Sequence, residues 1–351
     1  MSELDVNSGE LLNLKALAAN RAGFARNALF DRVAGLLFEG EGELTPEVRA
    51  LIDQILTGLI HQVEAEVRQQ VSLRISTINS APLELTKLLA NDTIEIARPI
   101  LHHSPVLTDA DLIAIVKAKT IDHREAIAKR PEVHAEVSAA LAAAKEPKVV
   151  EALLANTGAV IPRTVFADLV ALSEAVESIR KPLIARREMP KDIAHQMFWF
   201  VSAAMRHAIL ERFAVNPKEL DAMFADIIVE KSQQPSSWRG GEVSALLAKV
   251  KAGDLAGFTK GLAQLTGVDP TIAAKIVADK GGEPLAIACK AIGTDRSQFT
   301  TIFLQLDYKR FGKARPLSHV EMVSKVFDML PAEKALSAIR MWSRQMVAKA
   351  T

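Results

Sequence analysis

The sequence contains a single cysteine, Cys289, in 351 residues. That excludes an internal disulfide, a thiolate zinc site and the stapled scaffold of a small secreted domain. Aromatic residues are also scarce, at 5% of the chain with one tyrosine, whereas sheets draw on aromatic and β-branched residues. Neither sign of charge dominates: 43 Lys and Arg stand against 42 Asp and Glu, a net charge of +1. Such balance exerts no overall pull on nucleic acid or on an anionic membrane. Long hydrophobic runs are missing. The longest uncharged apolar stretch runs from Ile193 to Met205, short of the ~20 residues a membrane-spanning helix needs. The opening residues, MSELDVNSGE, are acidic and polar, so no secretory signal is expected. What the chain does have is 49% hydrophobic residues, with much alanine, a composition suited to closely packed helices. The expectation is an all-α protein of the cytoplasm with no membrane contact.

Six segments share one pattern: an apolar helix end, a short polar break that usually carries proline, and a second apolar helix. The anchors of the first helices are Leu73, Ile100, Ile127, Leu153, Leu183 and Ile209, spaced by 26 to 30 residues. Two further units near the C-terminus, LAQLTGVDPTIAAKIV and AIACKAIGTDRSQFTTIF, superpose at an offset of 26, matching Gly267 to Gly293 and Asp269 to Asp295. Glycine there suits a left-handed helix C-cap, and the aspartate suits the next N-cap. Thr45-Pro46, Asn216-Pro217 and Asp269-Pro270 read as capped helix starts, and Thr108 with Asp111 has the spacing of a capping box. Helix pairs that cannot bury their apolar faces alone stack into a solenoid. An all-α solenoid of HEAT-like helix pairs is therefore expected.

The flanks read differently. Residues 8–38 hold two amphipathic helices, followed by the Glu39-Gly40-Glu41-Gly42-Glu43 break. From Pro46 to about Ile75, Val48, Ile52, Ile55, Leu59, Val63, Val67 and Val71 follow steps of three and four. A single long helix is expected, closing the array or pairing with a second copy to give a homodimer. The polar run Ser232-Gln233-Gln234-Pro235-Ser236-Ser237, followed by Gly240-Gly241, suits a linker. The expected organisation is a helical cap over 1–76, repeats over 77–231, a linker over 232–241 and a C-terminal helical domain over 242–351.

The stretch 94–161 resembles a bacterial family known as domain of unknown function 2336. The likeness rests on Ser104-Pro105-Val106-Leu107-Thr108-Asp109, on Ala126 to Arg130 and on Leu153 to Asn156. It extends, more weakly, from about residue 10 to 305. His102-His103, just before Ser104, departs from the pattern. The resemblance implies a HEAT-like helical fold and a cytoplasmic location in bacteria. It carries over no catalytic residue.

Motifs for catalysis are few. There is no Walker loop, no dinucleotide fingerprint and no nucleophile elbow, and Lys280-Gly281-Gly282-Glu283 reads as a plain turn. Cys289 lies on an apolar helix with nothing near it in sequence to activate the thiol. His102, His103, His123 and His134 lack ligand spacing on one helix. No metal, no cofactor and no enzymatic activity are expected. One regularity stands out. Three residues after the anchors come Ser76, His103, Arg130, Asn156, Arg186 and Arg212, and three before come Arg124, Arg180 and Arg206. Cations there could cap helix ends, or form a ladder offering forked donors to carboxylates or phosphates. Tyr308 to Arg315, with Lys309 and Arg310, reads as a basic loop. The candidate contact residues are His103, Arg124, Arg130, Arg180, Arg186, Arg206, Arg212, Lys309 and Arg310. The expected function is a non-catalytic protein-interaction scaffold or signalling adaptor for an acidic protein partner. The alternative is a HEAT-like nucleic-acid binder using a basic edge.

Overall fold

A computed structural model describes residues 23–39, 45–214, 240–312 and 315–350. Among these residues the regular elements are helices, joined by one isolated bridge, Val133 with Ala159. The chain divides into two compact units between Leu172 and Ser173. The expected linker over 232–239 and the Asn216-Pro217 cap lie outside the described residues.

The first unit contains α1 (Gly23–Glu39), α2 (Pro46–Leu59), α3 (Ala65–Ile75), α4 (Leu83–Ala90), α5 (Ile94–His103), α6 (Asp109–Ala118), α7 (Ile121–Ala128), α8 (Ala135–Ala143) and α9 (Pro147–Ala155). Helix α10 (Arg163–Ala175) crosses the boundary. Local chemistry starts these helices where the sequence marks them. Thr45 accepts the amide of Val48 at 3.4 Å, and Thr108 and Asp111 cap α6 reciprocally. Helix α3 packs on α5, α5 on α7, and α7 on α9, while α4 pairs with α5, α6 with α7 and α8 with α9. Ile100, Ile127 and Leu153 lie fully buried on the repeated helices. Burying such a side chain contributes about 1.5–3 kcal/mol, and here each burial needs the neighbouring pair.

Two expectations fail in this unit. The long helix expected over 46–75 is interrupted: a short 3-10 turn occupies Ile60–Gln62, and Val63 and Glu64 are extended. The period of three and four continues through the break, so apolar spacing alone cannot reveal it. Tertiary partners take up the freed groups, because Asn27 of α1 accepts the Glu64 amide at 3.1 Å and Arg68 donates to the Val63 carbonyl at 2.6 Å. The break also shifts the register of α3. Leu73 is 65% exposed and Val71 is buried in its place. The first anchor is therefore Val71, which puts Arg68 at the position three residues before it.

The second unit holds α11 (Arg180–Ala185), α12 (Lys191–Met197), α13 (Ala203–Arg212), α14 (Gly240–Ala252), α15 (Leu255–Thr266), α16 (Pro270–Ala278), α17 (Glu283–Ala291), α18 (Arg296–Phe311), α19 (Leu317–Met329) and α20 (Ala332–Ala350). Asp269 caps α16 and Asp295 forms a capping box with Gln298, and Gly267 adopts the left-handed C-cap conformation at φ 69°. Helix α17 is the core of the unit and is buried along most of its length. Helices α15, α16, α18, α19 and α20 pack around it. Cys289 lies within that core, where burial pushes its thiol up to about 12. Phe198, Trp199 and Trp342 form one aromatic cluster, with ring centroids 4.7 to 5.9 Å apart.

Candidate functional site

The candidate arginines fall into two sets by what they hold. Those three residues before an anchor turn back to the end of the preceding helix. Arg124 Nε donates to the Val116 carbonyl at 2.7 Å, Arg180 Nε to Ser173 at 2.8 Å, and Arg206 Nε to Phe198 at 3.0 Å. Arg68 completes the set through Val63. Free carbonyls at a helix C-terminus need such donors, and a cation there complements the dipole. Arg124 uses a further nitrogen on Glu146 at 2.5 Å, and Arg68 pairs with Asp92 at 2.7 Å. Arg180 also donates to Glu174 O at 3.0 Å and lies over the Phe200 ring.

The second set stands three residues after the anchor and reaches back one repeat. Arg130 donates to the carbonyls of Leu101 and Ser104, both at 2.7 Å. Asn156 donates to Ala128 and Arg130 at 2.8 and 2.6 Å. Arg212 donates to Ile184 at 2.9 Å. Burial lowers the Arg130 guanidinium below the usual arginine range, as expected of a cation withdrawn from water. Arg186 is buried and pairs with Glu188 at 2.5 Å. His103 departs from this pattern and remains exposed. Its ring stands 4.3 Å from that of His102, with the Nδ1 atoms 3.5 Å apart. His102 is lowered by burial first, then by His103, Arg130 and Lys129. The arginines thus form a ladder by position, with their forks turned inward onto the backbone and onto neighbouring carboxylates.

The basic segment at 308–315 also differs from expectation. Tyr308 to Phe311 form the last turn of α18, closed by Gly312 in the left-handed region at φ 66°, and Lys313 and Ala314 lie outside the described residues. Lys309 is exposed. Arg310 is half-buried and donates to the Asp279 carbonyl at 3.1 Å; burial lowers it despite the nearby Asp307 and Asp279.

The supposed plain turn at 280–283, with Asp279 just ahead of it, is where several of these residues meet. Arg206 Nη1 donates to Asp279 Oδ2 at 3.0 Å and Glu283 Oε2 at 2.8 Å, and Nη2 donates to Asp279 Oδ1 at 2.9 Å. Burial works against the Arg206 charge, but the two carboxylates outweigh it and hold the guanidinium above its ordinary value. Arg315 donates to the Lys280 carbonyl at 2.9 Å and pairs with Asp307 at 2.8 Å. Asp279 and Glu283 carried no signal in the sequence. Neither motif nor periodicity links them to an arginine 73 residues earlier.

Among the described residues no group of three or more His, Cys, Asp or Glu could hold a metal ion, and no helix is long and apolar enough to cross a membrane. The geometry defines an all-helical protein whose helix pairs are interlocked by side chains at equivalent positions. Residues 96–340, well over half of the chain, match a family of uncharacterised proteins conserved in bacteria, domain of unknown function 2336, and the chain belongs to that family. No curated protein and no solved structure gives a significant match.

Proposed function

We propose that this protein is a non-catalytic scaffold for protein–protein interaction, in the manner of a signalling adaptor, built as an α-solenoid of HEAT-like helix pairs. The observation that supports this reading is the interlocked stack itself. Helices α3, α5, α7 and α9 pack in succession, and Arg130 and Asn156 each reach back one repeat. Stacked pairs of this kind offer a long surface to a partner. The location we assign, the bacterial cytoplasm, rests on the family. Of the candidate contact residues, His103 and Lys309 keep exposed side chains suited to an acidic protein. The others are committed to the fold, which weakens the basic edge on which nucleic-acid binding depended. A second copy is a further partner to test, since Val48, Leu51 and Ile55 of α2 are exposed at helical spacing.

The deciding experiment is a tagged capture from the native cell, with and without nuclease, followed by mass spectrometry. A specific protein retained after nuclease supports the scaffold. Capture that disappears with nuclease refutes it in favour of nucleic acid. Light scattering on the full chain reports the second copy.

A further inference from the structure

The arginines three residues before the anchors do more than cap the helix behind them. In three of the four, the guanidinium also holds a carboxylate at the head of a later helix. Arg68 holds Asp92, two residues ahead of α5. Arg124 holds Glu146, the N-cap of α9. Arg206 holds Asp279, four residues ahead of α17, and Glu283, its first residue. In the first unit the buried anchor follows the carboxylate at nearly constant distance: Ile100 eight residues after Asp92 and Leu153 seven after Glu146. In the first unit the carboxylate lies 24 or 22 residues beyond the arginine, whereas for Arg206 it lies 73 beyond.

We infer that Arg206 is a latch that ties α13 to the head of α17, so that α13 and the C-terminal helices share one fixed register. The receiving post is rigid. Asp279 Oδ2 accepts the amides of Gly281 and Gly282 at 2.9 Å. Gly282 sits at φ +90°, and a Cβ there would stand 2.4 Å from the Phe303 ring. Arg310 of α18 and Arg315, two residues ahead of α19, hold the backbone of Asp279 and Lys280. On the other side the Arg206 guanidinium lies 5.2 Å from the Phe198 ring centroid, and that ring packs on Trp342.

The latch selects an arrangement more than it adds stability. The side chains of Arg206, Asp279 and Glu283 are 9, 12 and 2% exposed. Withdrawing three charges from water costs nearly as much as their attraction returns, so a buried cluster acts mainly by penalising every register in which a charge is left unpaired. Apolar surface on α13 and α17 could slide against its neighbours at small cost; the fork of Arg206 fits only one position.

Hydrogen exchange, resolved by peptide, on the full chain tests this. Two variants are compared with the native protein: Arg206→Lys, which keeps the charge and loses the fork, and Arg206→Met/Asp279→Asn/Glu283→Gln, which leaves no unpaired buried charge. The triple variant is expected to keep its helical content, to exchange α13 and α17 amides about tenfold faster, and to leave α5 unchanged. Its unfolding should split into two transitions. Arg206→Lys should give the same local acceleration at about threefold, and it carries the test if the triple variant does not fold. Native exchange rates at α13 and α17 overturn the latch, since packing alone would then set the register. Acceleration spread evenly over α11–α20 with one transition overturns it too, since Arg206 would then be an ordinary stabilising contact.

Discussion

Replacing Arg130 by Met removes a guanidinium while keeping an apolar stem of similar length, so the change isolates the two hydrogen bonds that tie α7 back to α5. Both bonds are 2.7 Å, to the carbonyls of Leu101 and Ser104, whose residues are fully buried. A charge-assisted bond contributes about 1.5–3 kcal/mol, and an acceptor left buried without a partner loses that amount. Arg130 is itself only half-buried. Water therefore reaches part of the vacated space, and the expected loss is about 2–4 kcal/mol, below the sum of two such bonds. For a unit of 172 residues, that loss lowers the melting temperature by roughly 5–15 °C. Denaturant unfolding followed by circular dichroism measures the first quantity, and calorimetry the second. Arg130→Lys, with one donor direction instead of a fork, should fall between native and Met. A variant that melts within a degree of the native protein while losing its partner would refute the reasoning, because the guanidinium would then serve the partner and not the repeat.

Other perturbations follow from single residues. Lys145 has φ 55° just after α8; Lys145→Gly should stabilise the first unit by about 0.5–1 kcal/mol in urea titration, because an L-residue is strained there. Gly282→Ala combines φ +90° with a methyl driven into Phe303, so a loss of about 2–4 kcal/mol is expected by the same assay. His195 is fully buried, its Nε2–H donating to the Phe213 carbonyl at 3.0 Å, and burial holds it down at about 4. Its folded value lies below its unfolded one. The unfolded chain therefore takes up the proton first, and stability present above about pH 6.5 declines as pH falls toward 4, by up to about 3 kcal/mol. His195→Gln should flatten that part of the stability–pH curve. Cys289 should resist thiol reagents at pH 8 in the folded protein and react only on unfolding, as mass spectrometry after brief labelling would show.

Much of the fold was legible because it depends on neighbours in sequence. The Thr45, Thr108, Asp269 and Asp295 caps act within three residues of themselves, and each stands where its residue type pointed. Glycines 267 and 293 take the left-handed conformation at helix ends because backbone conformation is a local property. Buried anchors at Ile100, Ile127, Leu153, Leu183 and Ile209 followed from the repeat. The repeated arginine positions were visible as well, but what they hold was not. A guanidinium reaches several ångströms and can turn either way, so spacing along the chain leaves inward and outward orientations equal.

The helical class, the caps, the repeat spacing and the apolar burial of Cys289 were thus determined by the sequence alone, since short-range sterics, capping and hydrophobic period decide them. Tertiary structure decided three other matters. It broke the helix at Val63 and Glu64, where Asn27 and Arg68 receive the freed groups. It turned Arg124, Arg130 and Arg212 onto carbonyls 8 to 29 residues away. It also brought Arg206 to Asp279 and Glu283. The reason is the same in each case: a buried polar group must find its partner, and which partner comes within reach is known only once the helices have packed.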